Sequence, residues 1–285
     1  MRVVIAGAGG QLGIDLVRCC ENAGDDVVAT RRDDLDIADR DSVHGAVSSL
    51  RPEVVFNCAA WTAVDACEGD PDRALAQNGL AVRWLAESCD DAGARLVQIS
   101  TDYVFDGSLD RPYNEYDEPA PQSVYGASKL MGEHEALMLG PSATVVRTSW
   151  VCGQNGSNMV TTIMRLAGQH TELAFVDDQI GHPTFTSDLA PMVRRLAVDR
   201  RSGIHHVTNQ VPTSWYGFAR EVVAAMGKSP EMVRPITTAE LQPPRPAKRP
   251  ANSVLDNAVL RAAGIDLLRD FGEPLRETVQ ALAQR

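Results

Sequence analysis

"RVVIAGAGGQLG", residues 2–13, decides the fold. The run Val3-Val4-Ile5-Ala6 has the β-branched, apolar character of a buried strand, and it leads straight into Gly7, Gly10 and Gly13. A helical pattern begins at Gln11. Glycines in such a loop let the backbone turn tightly and approach a pyrophosphate, which the helix N-terminus then binds. The spacing is G-x-x-G-x-x-G rather than the commoner G-x-G-x-x-G, so the position directly after a strand carries the reading.

Outward from that loop, short β-branched runs alternate with longer helical patterns. "DVVAT" (26–30), "EVVFNCAA" (53–60), "RLVQIS" (95–100) and "ATVVRTS" (143–149) read as strands, with helices over 11–23, 39–50, 71–92 and 124–139. Nearly continuous apolar strands are those covered on both faces. Alternating β and α elements predict an α/β, doubly wound parallel sheet of the Rossmann type. In such sheets ligands lie beyond the carboxyl ends of the strands. The second half is less regular. It reads as helices over 157–168, 186–200 and 213–227, a strand over 203–209, a loop rich in Pro and basic residues at 242–253, and short helices near 256–263 and 273–284. We expect a dinucleotide-binding region over 1–150 and a smaller, mainly substrate-binding α/β region over 151–285, interleaved with the sheet.

The 285 residues suffice for a substantial core, and 44% hydrophobic with 23% charged residues is an ordinary globular balance. A net charge of −11 excludes general affinity for nucleic acid or anionic membranes. No apolar run approaches the ~20 residues of a membrane span. Cys19, Cys20, Cys58, Cys67, Cys89 and Cys152 form no C-x-x-C pair and read as free thiols in a reducing, cytoplasmic setting. The histidines form no metal-binding pair, and no metal site is expected.

The strand ends carry the chemistry. After the second strand stand Thr30, Arg31 and Arg32, where an acid would meet the ribose 2′-hydroxyl of NAD. Guanidinium groups there suit a 2′-phosphate, which favours NADPH, with NADH as the alternative. Asp36 and Ile37 are placed to meet an adenine. Ala59 and Ala60 follow the third strand, and Ser100 and Thr101 close the fourth. In "SVYGASKL" (123–130), Tyr125 and Lys129 share one helix face, about 6 Å apart at Cβ. An ammonium that close is expected to lower the pKa of the phenol. Arg245, Lys248 and Arg249, in the Pro-rich loop of an acidic protein, form a candidate anion clamp.

Together "GAGGQLG", "NCAAWTAVDACE", "STDYVFDG", "VYGASKLMGE", "RTSWVCG", "DDQIGHPT", "TSWYGFA" and "RPANSVL" resemble the dTDP-4-dehydrorhamnose reductase family of the extended short-chain dehydrogenase/reductases, over residues 7–255. The resemblance implies NAD(P)H-dependent hydride transfer to C4 of dTDP-6-deoxy-L-lyxo-4-hexulose, giving dTDP-L-rhamnose. It implies that Tyr125 protonates the C4 oxygen, with Lys129 lowering its pKa and holding the nicotinamide ribose and Thr101 assisting. Gly10, Gln11 and Leu12 would border the pyrophosphate, Asp36 and Ile37 the adenine, and Ala60, Trp61 and Thr62 the nicotinamide. Thr101, Asp102 and Trp150 would contact the sugar nucleotide, and Arg249 its diphosphate. Where some members hold a bridging magnesium with glutamates, this chain has Asp15 and Ser187, so any homodimer is expected to form without that metal.

Two other readings differ in their requirements. A dehydratase or epimerase of the same superfamily needs an added acid and base, and Tyr103 follows Asp102 where relatives carry Glu. A non-catalytic regulatory binding subunit would not need Thr101, Tyr125 and Lys129 together.

Overall fold

The computed structural model describes residues 1–285. In the first half β1 (Arg2–Ala6), α1 (Gln11–Asn22), β2 (Asp26–Thr30), α2 (Arg40–Leu50) and β3 (Val54–Asn57) alternate. They are followed by α3 (Val64–Gly69) and α4 (Pro71–Leu75), which runs through a π-helical turn (Ala76–Leu80) into α5 (Ala81–Ala92). β4 (Arg95–Thr101), α6 (Val124–Leu137) and β5 (Ala143–Thr148) complete it. The second half comprises β6 (Val151–Cys152), α7 (Met159–Gln169), β7 (Leu173–Val176), β8 (Ile180–Gly181), β9 (Thr184–Phe185) and α8 (Thr186–Val198). It continues with β10 (Gly203–His206), β11 (Thr213–Ser214), α9 (Trp215–Ala225), β12 (Val233–Ile236), α10 (Ala258–Ala262) and α11 (Gly272–Ala283).

Six strands form one parallel sheet in the order β10-β5-β4-β3-β1-β2. Chain order reverses between β1 and β3, and a crevice opens there at the carboxyl edge. One face packs α1 and α8 through Leu12, Leu16, Leu189, Val193 and Leu196; the other packs α2, α5 and α6 through Val43, Val47, Leu85 and Ala136. A separate core around Ile163, Phe185, Phe218, Val222 and Phe271 joins α7, α9 and α11. β10 enters the sheet from the second half, beside β5. No helix is long and apolar enough to cross a membrane.

Several boundaries differ from the sequence reading for local reasons. The third strand stops at Asn57 rather than continuing to residue 60, because the Asn57 side chain accepts the Ala59 N–H and turns the chain out. The helix read over 157–168 starts at Met159, since Asn158 and Thr161 form a reciprocal cap. The strand 203–209 ends at His206, and the helix 213–227 begins only after Ser214, which caps it. The stretch 71–92 is helical throughout but locally widened by one extra residue at the π-turn. α3 and the two-residue strands β6, β8, β9 and β11 carry too little periodicity to read from sequence.

Candidate active site

The glycine loop turns as its composition requires. Gly7 has φ of +76°, and a Cβ there would lie 2.6 Å from the Ala59 nitrogen; Gly13 abuts the Gly7 carbonyl just as closely. Gly10 caps α1 with backbone only, and no side chain satisfies the first-turn N–H groups. Gly10, at the start of that helix, also borders a cavity of about 250 Å³ lined by Gly7, Arg32, Asp36, Ile37 and Ala59, among others. An open helix N-terminus beside two arginines suits a dinucleotide's phosphates. Arg31 extends over the loop, its side chain about 3.5 Å from where a Gly9 Cβ would stand. Arg32 pairs with Asp36 at 3.5 Å.

A second, adjoining cleft of about 440 Å³ shares Gly10, Ala59 and Ala60 with the first. Gln11, Leu12, Thr62, Thr101, Asp102, Tyr125, Lys129 and Trp150 all line it. Tyr125 is 8% exposed and packs edge-on against Tyr103, ring centres 5.6 Å apart. The small Gly126 beside it is a packing requirement: a Cβ there would fall 2.2 Å from the Tyr103 carbonyl oxygen. Burial pushes the Tyr125 phenol up, against a hydrogen bond with Thr101 that draws it down. Thr101 Oγ1 donates to Asp102 Oδ1 at 3.0 Å, and burial pushes the Asp102 carboxyl up to about 6. Asp102 Oδ2 and Thr148 Oγ1 are buried polar atoms on the cleft wall without a protein partner.

The expected depression of the Tyr125 pKa by Lys129 is corrected by this geometry. The Lys129 Nζ donates to the Ile99 carbonyl at 2.6 Å, and desolvation of the phenol outweighs every neighbouring influence. A neutral phenol is the protonated form a proton donor needs. Burial also pushes Lys129 down to about 8.

Four further expected site residues make other contacts in this structure. Trp61 does not line either cavity: Arg73 stacks on its ring at 4.3 Å, and Asn78 holds its backbone. Thr30 directs its hydroxyl to the Ile5 carbonyl, and Gly13 serves helix packing against Ala8. Arg249 lies outside the cleft in a basic cavity with Arg245 and Lys248. It is already gripped by both carboxylate oxygens of Asp65 on α3, at 2.5 and 2.7 Å. Of the residues sequence reasoning missed, Trp215 is the most prominent. It stacks face to face on Trp150 with ring centres 3.6 Å apart and planes nearly parallel, and forms part of the cleft wall. Its own motif, "TSWYGFA", was visible, but its partner 65 positions away was not.

The RmlD substrate binding domain family matches residues 1–284. A dTDP-4-dehydrorhamnose reductase of Streptomyces griseus is 43% identical over 290 residues, covering 100% of this chain and 95% of its own length. The crystal structure of a dTDP-4-dehydrorhamnose reductase from Clostridium acetobutylicum superposes with a TM-score of 0.95 at 41% identity, covering 99% of this chain and 100% of that one. The Bacillus anthracis protein of the same name, solved in complex with NADP, gives 0.94 at 36% identity, with 98% and 99% coverage.

Proposed function

The chain belongs to the dTDP-4-dehydrorhamnose reductase family, and from that premise we propose that it reduces the C4 keto group of dTDP-6-deoxy-L-lyxo-4-hexulose with NADPH, giving dTDP-L-rhamnose. The observation that carries this reading is the adjoining pair of cavities. One holds the glycine loop with Arg32, Asp36 and Ile37; the other brings the uncapped helix start at Gln11 and Leu12 together with Thr101, Tyr125 and Lys129.

NADPH, when bound, supplies the hydride. Negative charge then develops on the C4 oxygen, and Tyr125, kept protonated by burial, donates its proton there. Thr101, whose hydroxyl proton rests on Asp102, turns that proton to the phenol oxygen of Tyr125 as the phenol gives up its own. Lys129 holds the nicotinamide ribose through its ammonium. Gly10, Gln11 and Leu12 meet the pyrophosphate, and Asp36 and Ile37 the adenine. Arg31 and Arg32 meet the 2′-phosphate. Asp102 and Trp150 bind the sugar, with Arg249 available to its diphosphate on release from Asp65. Tyr103, packed on Tyr125 and pushed up to about 12 by burial, offers no base for dehydration.

Six unpaired thiols support a cytoplasmic setting. Asp15 accepts a hydrogen bond from Thr186 at 2.5 Å and lies 3.8 Å from Arg18, which supports an assembly independent of bridging magnesium. Incubation with the dTDP-4-keto sugar and NADPH should consume absorbance at 340 nm and yield dTDP-L-rhamnose. Binding of both ligands without turnover would instead mark a regulatory subunit.

A further inference from the structure

β4 ends in Ile99-Ser100-Thr101, and each residue meets α6 or the cleft in a different way. The Ile99 carbonyl accepts from Lys129 Nζ, Ser100 Oγ donates to Glu133 Oε1 at 2.5 Å, and Thr101 lines the cleft beside Tyr125. Tyr125, Lys129 and Glu133 are spaced four apart on α6, so they form one stripe facing that strand end. Behind the stripe, Arg147 on β5 clamps Glu133 with Nε at 2.8 Å and Nη2 at 2.6 Å. Arg147 pairs in register with Ser100, and its guanidinium lies over the Phe105 ring.

The side chains of Arg147 and Glu133 are only 2% and 1% exposed. A buried ion pair is poor value as a stabiliser, because well-packed neutral residues of similar volume do as well or better. Its place one turn beyond Lys129 suggests another use. We propose that Glu133, clamped by Arg147 and Ser100, is a positioning residue that keeps the Lys129 ammonium charged and seated against the end of β4. The groups acting on Lys129 are Glu133 on its own helix, Cys58 after β3 and the Ile99 carbonyl; Tyr125, Thr101 and Asp102 line the same cleft, and Arg147 of β5 lies beyond Glu133. Burial works to discharge Lys129, and Glu133 is the strongest influence opposing it. Cys58, itself pushed up to about 12, stays a neutral thiol and supplies no countercharge.

The chain contains only three lysines, Lys129, Lys228 and Lys248, so Lys129 can be followed directly by NMR of protein labelled with ¹³C at lysine Cε, assigned with Lys129→Arg. In Glu133→Gln the Lys129 titration midpoint should fall by about one pH unit. Glu133→Gln leaves Arg147 buried without its partner, so the double variant Glu133→Gln/Arg147→Met provides a neutral, packed replacement. It should fold and shift Lys129 in the same direction by less. The effect on cofactor binding rests on the NADPH reading above: at pH 8, NADPH affinity should drop roughly fivefold in Glu133→Gln, and at pH 6 hardly at all. An unmoved Lys129 midpoint in either folded variant overturns the proposal. So does a double variant that cannot fold, because the pair would then be a structural element. Failure of the unmodified protein to bind NADPH at any pH would remove the cofactor reading and leave the lysine titration to decide this one.

Discussion

Removing one oxygen atom tests the assignment of Tyr125 most cleanly. Tyr125→Phe keeps the ring that packs edge-on against Tyr103 and joins the buried cluster of Cys67 and Ala74. The hydroxyl loses only its hydrogen bond with Thr101, so folding stability should change by no more than about 1 kcal/mol. Catalysis should change far more. A positioned general acid is worth ~10²–10⁴-fold, which at ~1.36 kcal/mol per decade is about 2.7–5.4 kcal/mol on the barrier. The measurements are steady-state oxidation of NADPH with saturating 4-keto sugar, a thermal melt, and NADPH binding by fluorescence. We expect kcat to collapse by that factor with melting temperature and cofactor affinity nearly unchanged. The pH profile adds a second constraint. Because the Tyr125 phenol is pushed up and Lys129 is pushed down to about 8, the alkaline decline in kcat/KM should set in near pH 8 and report loss of the Lys129 proton. The residual activity of Tyr125→Phe should keep that same limb. A variant within tenfold of the unmodified turnover would refute the proton-donor role.

Arg31→Ala with Arg32→Ala should weaken NADPH by about tenfold, the lower end for an exposed charge-assisted contact, while NADH kinetics stay level; equal use of the two cofactors by the unmodified protein would contradict the 2′-phosphate reading. Arg249→Ala should raise KM for the dTDP-sugar by roughly one order of magnitude without altering NADPH affinity, and an unchanged KM would reduce the arginine to a tether for Asp65. Gly126→Ala should cost about 1–3 kcal/mol of stability, read as a lowered melting temperature, because its Cβ meets backbone at the Tyr103 carbonyl and the Pro121 ring at 3.0 Å. The same variant should lower kcat, since the displaced turn carries Tyr125.

What was legible in the sequence follows from the range of the interactions involved. β1, β3, β4 and β5 are buried on both faces, so burial alone writes them as apolar runs, and the loops at their carboxyl ends locate the crevice. Helix spacing likewise places Tyr125 and Lys129 on one face before any coordinates. It does not say where a four-carbon stem will aim its ammonium, and Lys129 reaches back to the Ile99 carbonyl, 30 positions earlier. Long side chains were misplaced for the same reason. Trp61 turned to Arg73, and Arg249 found Asp65 across 184 positions. The basic loop could be recognised by composition, but its tether to α3 is a tertiary choice that no local pattern encodes. Trp150 shows the limit most sharply. Its motif is plain in the sequence, yet it holds a φ of +45°, sustained by stacking on Trp215 and by Gly181, where a Cβ would stand 2.7 Å from the indole. Such a residue costs backbone energy that only its distant neighbours can offset. The stripe of Tyr125 and Lys129 was therefore readable because a single helix sets its spacing. The walls that would select the sugar had to be seen, because they are assembled from both halves of the chain.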